Sequence, residues 1–206
     1  MKIALYIILI IAVIAGVSSL VHLYKVSNRN KTEMAKYSNT VSLTANLGKT
    51  LVIYYSLTGR TKDIALQIQS FTNADIYEIK PKVKYTGSDL NWNKKDSRST
   101  IECKNRSSRP ELADKNANIS KYDTILVGFP VWWYLAPNII LTFLESYDFT
   151  GKKVVVWGTS WSSGMGKTTE EITKIAKGAN VVEGVIFNKD HRKTSDYQKF
   201  ISSLKL

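Results

Sequence analysis

The fold class of this chain is decided by the stretch Leu51-Val52-Ile53-Tyr54-Tyr55-Ser56-Leu57-Thr58-Gly59-Arg60-Thr61. Its first five residues are apolar, β-branched or aromatic, which is typical of a short buried strand. A turn-forming segment follows, and after it apolar residues recur at helical spacing, which predicts a helix over residues 60–71. A strand, a hydroxyl-rich turn and a helix in this order predict the first unit of an α/β domain.

The same alternation continues along the chain. Strands are predicted at residues 75–79, 124–129, 154–157 and 181–187, and helices at residues 136–147, 166–177 and 194–204. Residues 82–121 interrupt the pattern, and we predict there a second helix near residues 88–96 and a long surface loop. Apolar strands flanked by amphipathic helices indicate a doubly wound α/β fold with a five-stranded parallel sheet.

Ligands of doubly wound sheets bind at the carboxyl ends of the strands, which makes the loops after strands one, three and four the candidate site. In the first loop, Ser56, Thr58 and Thr61 place three hydroxyls around Gly59 at the start of a helix. The free N–H groups and the positive dipole end of such a helix suit a phosphate. The alternative is an ordinary turn in which one of the hydroxyls caps the helix.

Aromatic residues follow the third and fourth predicted strands. Trp132, Trp133 and Tyr134 are consecutive, and because successive side chains diverge, we expect at least one to be exposed where a flat heterocycle could stack on it. Residues 158–166 combine glycines and hydroxyls with Trp161. The alternative is that Trp132 and Trp133 only cover the top of the sheet.

Taken in order, these motifs resemble the flavodoxin-like family. Residues 54–61 are similar to the flavodoxin signature for the FMN phosphate, a strand followed by Ser/Thr-x-Thr-Gly-x-Thr. Residues 123–133, 142–152 and 162–166 resemble bacterial flavodoxin-like proteins with a Pro-x-Trp-Trp flavin loop. The resemblance covers about residues 49–188 and implies a flavodoxin-like fold that binds one FMN.

The resemblance also implies which residues would contact FMN. The residues around the phosphate would be Ser56, Thr58, Gly59, Arg60 and Thr61. The residues along one side of the flavin ring would be Pro130, Val131, Trp132, Trp133 and Tyr134. The residues along the other side would be Thr159, Ser160, Trp161, Ser163 and Gly164.

One of these positions departs from the family pattern. The family usually has glycine after the second tryptophan, where this chain has Tyr134. A glycine at that position would let the peptide beside flavin N5 rotate easily when the ring is reduced. The sequence therefore leaves open whether the chemistry proceeds in one-electron or two-electron steps.

The N-terminal part of the chain predicts a membrane segment. Residues 3–24 carry no formal charge, and as a helix they would span about 33 Å, close to the ~30 Å hydrocarbon core. We predict a transmembrane anchor over residues 1–24, a flexible linker over residues 25–47 and the folded domain over residues 48–206. A cleaved signal peptide, with a secreted domain, is the alternative. Basic residues after the span favour a cytoplasmic domain, but the side of the membrane stays undetermined.

Composition argues against several kinds of site. Cys103 is the single cysteine, which excludes an internal disulfide or a tetrathiolate metal site, and two histidines are too few for a His-based metal cluster. No residue stands out as a general acid, base or nucleophile.

The residues after Gly48 contain 24 Lys or Arg and 16 Asp or Glu, a net charge of +8. This charge predicts attraction to anionic surfaces, such as lipid headgroups, and we do not expect a nucleic-acid partner.

The resemblance implies a redox flavoprotein, and the predicted anchor and the basic surface favour electron transfer near a membrane. Such a protein would be a carrier that docks to a redox partner, or a reductase that takes hydride from NAD(P)H and passes electrons to a quinone-like acceptor. A non-redox, membrane-tethered binding module on the same fold is the alternative, because fold alone does not establish function. A third possibility is a membrane-associated scaffold that acts through the basic stretch Lys80–Lys121, which contains eleven Lys or Arg and five Asp or Glu.

Overall fold

A computed structural model describes residues 49–91, 93–188 and 193–204. The predicted anchor over residues 1–24 and the predicted linker over residues 25–47 lie outside the described residues. Within the described ranges, no helix is long and apolar enough to cross a membrane.

Five parallel strands form one sheet in the order β2-β1-β3-β4-β5. They are β1 Thr50–Tyr54, β2 Asp75–Glu78, β3 Thr124–Pro130, β4 Lys153–Thr159 and β5 Asn180–Phe187. β1 and β3 are almost completely buried, as expected for central strands of a sheet that is covered on both faces. The predicted five-stranded parallel sheet is therefore confirmed, and its strand bounds differ from the predicted ones by no more than a few residues.

Helices cover both faces of this sheet. They are α1 Arg60–Thr72, α2 Arg98–Lys104, α3 Asn138–Glu145, α4 Thr168–Ile175 and α5 Thr194–Ser203. Buried residues of α1 and α5 form one apolar cluster with the sheet, and buried residues of α3 and α4 form a second cluster on the opposite face. The two clusters confirm the doubly wound arrangement.

The predicted helix near residues 88–96 is wrong. A short 3₁₀ turn occupies Ser88–Leu90, and the helix of this region, α2, begins only at Arg98. The residues that α2 buries are Ser99, Thr100, Glu102 and Cys103. Because the buried face of α2 is mostly polar, hydrophobic periodicity could not locate the helix in the sequence.

Close contact between neighbouring strands requires one glycine in the centre of the sheet. Gly128 of β3 lies against the fully buried indole of Trp157 in β4, and a Cβ atom at position 128 would overlap that ring. Because β1, β3 and β4 pair in parallel, their carboxyl ends lie at the same edge of the sheet, and the three candidate loops begin there.

Candidate functional site

A cavity of about 740 Å³ opens at the carboxyl ends of β1, β3 and β4. The loops after these three strands supply most of its lining. The lining residues are Leu57, Thr58, Arg60, Thr61, Leu90, Ser99, Pro130, Val131, Trp132, Trp133, Tyr134, Thr159, Ser160, Trp161, Ser162 and Ser163.

The predicted site residues thus gather around one cavity, with three exceptions. Ser56, Gly59 and Gly164 were predicted to contact the ligand but do not line the cavity. Leu57 and Ser162 line it although only their neighbours in the same loops were predicted. Leu90 and Ser99 also line it, and both come from the interrupted region between β2 and β3. No motif marks these last two positions, which approach the cavity only through tertiary packing.

The start of α1 forms the polar end of the cavity. Gly59 is the N-cap residue with a φ of 87°, and no described side chain caps the helix, so the structure does not support the alternative of a hydroxyl N-cap. The first N–H groups of a helix lack intrahelical partners. Ser56 Oγ and the Nε and Nη2 atoms of Arg60 are buried, and within the described residues they have no hydrogen-bond partner. Each such buried orphan costs about 1–3 kcal/mol unless a ligand satisfies it, so this end of the cavity fits an anion.

One hydrogen bond joins the first loop to the third. Thr61 is 2 % exposed, and its Oγ1 lies 2.9 Å from Oγ1 of Thr159. The hydroxyl of Thr61 therefore already has a protein partner, whereas the exposed side chain of Thr58 faces the cavity. Thr61 positions the two loops, and Thr58 offers its hydroxyl to a ligand.

The second loop is a tight turn with an unusual backbone. The N–H of Trp132 donates to the carbonyl of Leu135, and the N–H of Leu135 donates to the carbonyl of Trp132, both at 2.9 Å. Between them Trp133 and Tyr134 have φ angles of 54° and 62°. Positive φ at both central residues is the mark of a type I′ turn, which normally selects Asn or Gly. The turn leaves Trp133 46 % and Tyr134 58 % exposed at the mouth of the cavity.

The third loop presents an aromatic side chain on a fixed base. The N–H of Ser163 donates to Ser160 Oγ at 2.8 Å, which closes the loop. Trp161 is 73 % exposed, and the guanidinium carbon of Arg60 lies 4.8 Å from the centroid of its ring. The polar end and the aromatic wall of the cavity are thus in direct contact.

Buried tyrosines support the second loop from behind. The ring of Trp132 lies 5.5 Å from that of Tyr85 and 6.0 Å from that of Tyr55, measured between centroids. The hydroxyl of Tyr85 donates to Glu102 at 2.5 Å, and Arg98 donates to the other oxygen of the same carboxylate at 2.7 Å. Burial, and then the bond to Glu102, raise the pKa of Tyr85 well above its usual value, so Tyr85 stays neutral and holds Trp132 in place.

The lining limits the chemistry that the cavity itself can perform. Among the described residues that line it there is no Asp, Glu, His, Cys or Lys side chain. In the part of the chain that the structure describes, no group of three or more His, Cys, Asp or Glu side chains could hold a metal ion. The arrangement can bind an anionic group at the start of α1 and a flat, largely apolar ring along the tryptophans.

Comparisons with known proteins agree with this geometry. The family model described as flavodoxin matches residues 49–203. No curated protein matches the chain.

Solved structures resemble the chain over nearly their whole length. A candidate flavoprotein from Bacteroides uniformis ATCC 8492 is 41% identical, with a TM-score of 0.71, and the match covers 75% of this chain and 98% of that one. A candidate flavoprotein from Bacteroides eggerthii DSM 20697 is 35% identical, with a TM-score of 0.71 and coverage of 77% and 98%. A flavoprotein from Lactobacillus acidophilus NCFM, crystallised in complex with FMN, is 28% identical, with a TM-score of 0.55 and coverage of 74% and 97%.

Proposed function

The chain belongs to the flavodoxin family, and from that premise we propose that its domain binds one FMN and acts as a redox flavoprotein that moves electrons. One observation carries the proposal: Arg60 at the start of α1 has two buried nitrogens with no described hydrogen-bond partner, and it lines a cavity that has tryptophan walls. FMN combines a phosphate with a flat ring, and the relative from Lactobacillus acidophilus was crystallised with it.

Different residues of the chain would bind the phosphate and the ring of FMN. The N–H groups at the start of α1, the hydroxyl of Thr58 and the guanidinium of Arg60 would hold the phosphate. Trp132, Trp133 and Trp161 would exclude water from the ring and orient it. Bound FMN would supply the electron transfer, and the described lining residues would bind and orient it.

The electrons are proposed to pass between a soluble donor and an acceptor close to a membrane. The uncharged residues 3–24 support a membrane tether, and the net charge of +12 supports attraction to an anionic surface. The donor would be NAD(P)H or a redox partner protein, and the acceptor would be quinone-like.

Titration of the purified full-length protein with FMN tests cofactor binding. We expect the flavin fluorescence to be quenched and the visible bands to shift. Thr58→Ala should raise the Kd for FMN by roughly tenfold to a hundredfold, because it removes one hydrogen bond to a charged group. Thr173→Ala is a matched control, because Thr173 lies exposed on α4 away from the cavity. A protein that fails to quench excess FMN would point instead to a non-redox binding module.

Steady-state oxidation of NAD(P)H by the FMN-loaded protein separates a carrier from a reductase. A reductase should turn over with a soluble quinone and no other protein. A carrier should turn over negligibly by itself but should exchange electrons with a chemically reduced partner.

A further inference from the structure

We propose that Arg60 alternates between Trp161 and the phosphate, so that an anion bound at the start of α1 releases the face of Trp161 for the flavin ring. The inference rests on the proposed binding of FMN and assigns a positioning role to one pair of residues. It makes the two ends of the cavity interdependent.

The surroundings of Arg60 show that two of its guanidinium nitrogens make no hydrogen bond within the described residues while the group contacts Trp161. Arg60 is the first residue of α1, and side chains of a helix lean towards its N-terminus, where the phosphate is proposed to bind. Its guanidinium carbon lies 4.8 Å from the ring centroid of Trp161. An aromatic face attracts the cation but accepts no conventional hydrogen bond, and Nε and Nη2 find no acceptor among the described residues.

Trp161 can also lose its contact with Arg60. At 73 % exposure it is the most exposed of the large apolar side chains that the structure describes. The base of its loop is fixed by the bond from Ser163 to Ser160 and by the bond between Thr61 and Thr159. The indole can therefore lose its contact with Arg60 without any change in the loop that carries it.

The relative strengths of the two contacts set the direction of the exchange. A guanidinium forms two parallel, charge-assisted hydrogen bonds with a phosphate, and these are stronger than a single cation–π contact. A phosphate at the start of α1 should therefore draw Arg60 away from the indole. Because coupling between two sites is reciprocal, a ring stacked on Trp161 should also favour binding of the phosphate.

The test uses inorganic phosphate as the probe and the full-length, FMN-free protein. The emission of Trp161 is isolated by subtracting the spectrum of Trp161→Phe, and its accessibility is measured with acrylamide, which carries no charge and does not compete for Arg60. We expect phosphate to raise the acrylamide quenching constant by up to about 1.4-fold, because Trp161 is already 73 % exposed and only the cover that Arg60 gives it can be lost.

Substitutions at Arg60 give the inference its controls. In Arg60→Gln the quenching constant should be high from the start and insensitive to phosphate, and the Kd for FMN should rise roughly tenfold to a hundredfold. Arg60→Lys keeps the charge but loses the planar fork, so it should recover part of the FMN affinity without the response of Trp161. Lys62→Gln removes the same charge from an exposed position on α1 outside the cavity lining, and it should respond to phosphate as the natural protein does.

Two results would overturn the inference while the proposed function stands: FMN binds but phosphate leaves the accessibility of Trp161 unchanged, or Arg60→Gln responds to phosphate like the natural protein. A response of Trp161 to phosphate in a protein that does not bind FMN would support the exchange and overturn the proposed cofactor. Absence of both FMN binding and the response would overturn both.

Discussion

Gly166 lies against the backbone of Tyr134, so the third loop of the cavity shapes the second. A Cβ atom at position 166 would overlap the carbonyl oxygen of Tyr134 and lie 2.9 Å from its Cβ. The hydroxyl of Thr168 donates to the same carbonyl at 3.4 Å. The space left by glycine at position 166 and the hydrogen bond from Thr168 together stabilise the turn at Trp133 and Tyr134. Two aromatic residues would not adopt this turn by local preference.

Substitution of Gly166 should disturb this turn. Gly166 has a φ of 57°, so Gly166→Ala adds backbone strain to the overlap with Tyr134, and we expect the free energy of unfolding to fall by about 2 kcal/mol or more, with weaker FMN binding. Urea unfolding measures the change. Gly87→Ala is the control, because Gly87 has a φ of −60° and open space around it, and it should stay within about 0.5 kcal/mol of the natural protein. Equal losses in the two variants would contradict the prediction.

Relief of the backbone strain at Tyr134 should stabilise the protein. Tyr134 is largely exposed and has a φ of 62°, so Tyr134→Gly loses little packing and removes left-handed strain. We expect the free energy of unfolding to rise by about 0.5–1 kcal/mol, the strain relieved less the added entropy of glycine in the unfolded chain. Tyr134→Ala keeps the Cβ atom and should bring no such gain. A gain in both variants would show that the ring, and not the backbone, is the source of strain.

The buried pair of Tyr85 and Glu102 makes the free energy of unfolding depend on pH in the alkaline range. Tyr85→Phe should lower the free energy of unfolding at pH 7 by about 1.5–3 kcal/mol, because it removes a hydrogen bond to a charged acceptor. The pKa of Tyr85 is raised in the folded state, so its stabilisation is complete below the pKa of an unfolded tyrosine, 10.0, and declines as the pH rises above it. The difference between the natural protein and Tyr85→Phe, measured by urea unfolding at pH 7 and pH 11, should therefore shrink. A difference that is constant with pH would contradict this prediction.

The single cysteine should be nearly inert in the folded protein. Burial raises the pKa of the Cys103 thiol from 9.0 to about 11, which lowers the thiolate fraction at pH 8. We expect alkylation by iodoacetamide at pH 8 to be about a hundredfold slower in the folded than in the urea-unfolded chain. The folded rate should rise steadily between pH 9 and pH 11. If the folded and unfolded rates follow the same pH profile, Cys103 is not shielded as the structure indicates.

Several features could be predicted from the sequence because their signal is local. The central strands are continuous apolar runs, since both faces of a doubly wound sheet are buried. The loop from Ser56 to Thr61 predicts an anion site, because its hydroxyls and its glycine lie close together at the start of a helix, and that site stays a prediction. Helix α2 could not be predicted in its correct position, because the face that it buries is mostly polar.

The sequence by itself thus determined the sheet, the order of its helices and the three loops that line the cavity. Tertiary structure alone decided the hydrogen bond between Thr61 and Thr159, the stacking of Arg60 on Trp161 and the close contact of Gly166 with Tyr134. The first two pairs join residues about a hundred positions apart, and they meet because the sheet brings the ends of β1, β3 and β4 together. Contacts of this kind depend on the packing of whole elements, which no local pattern of side chains encodes.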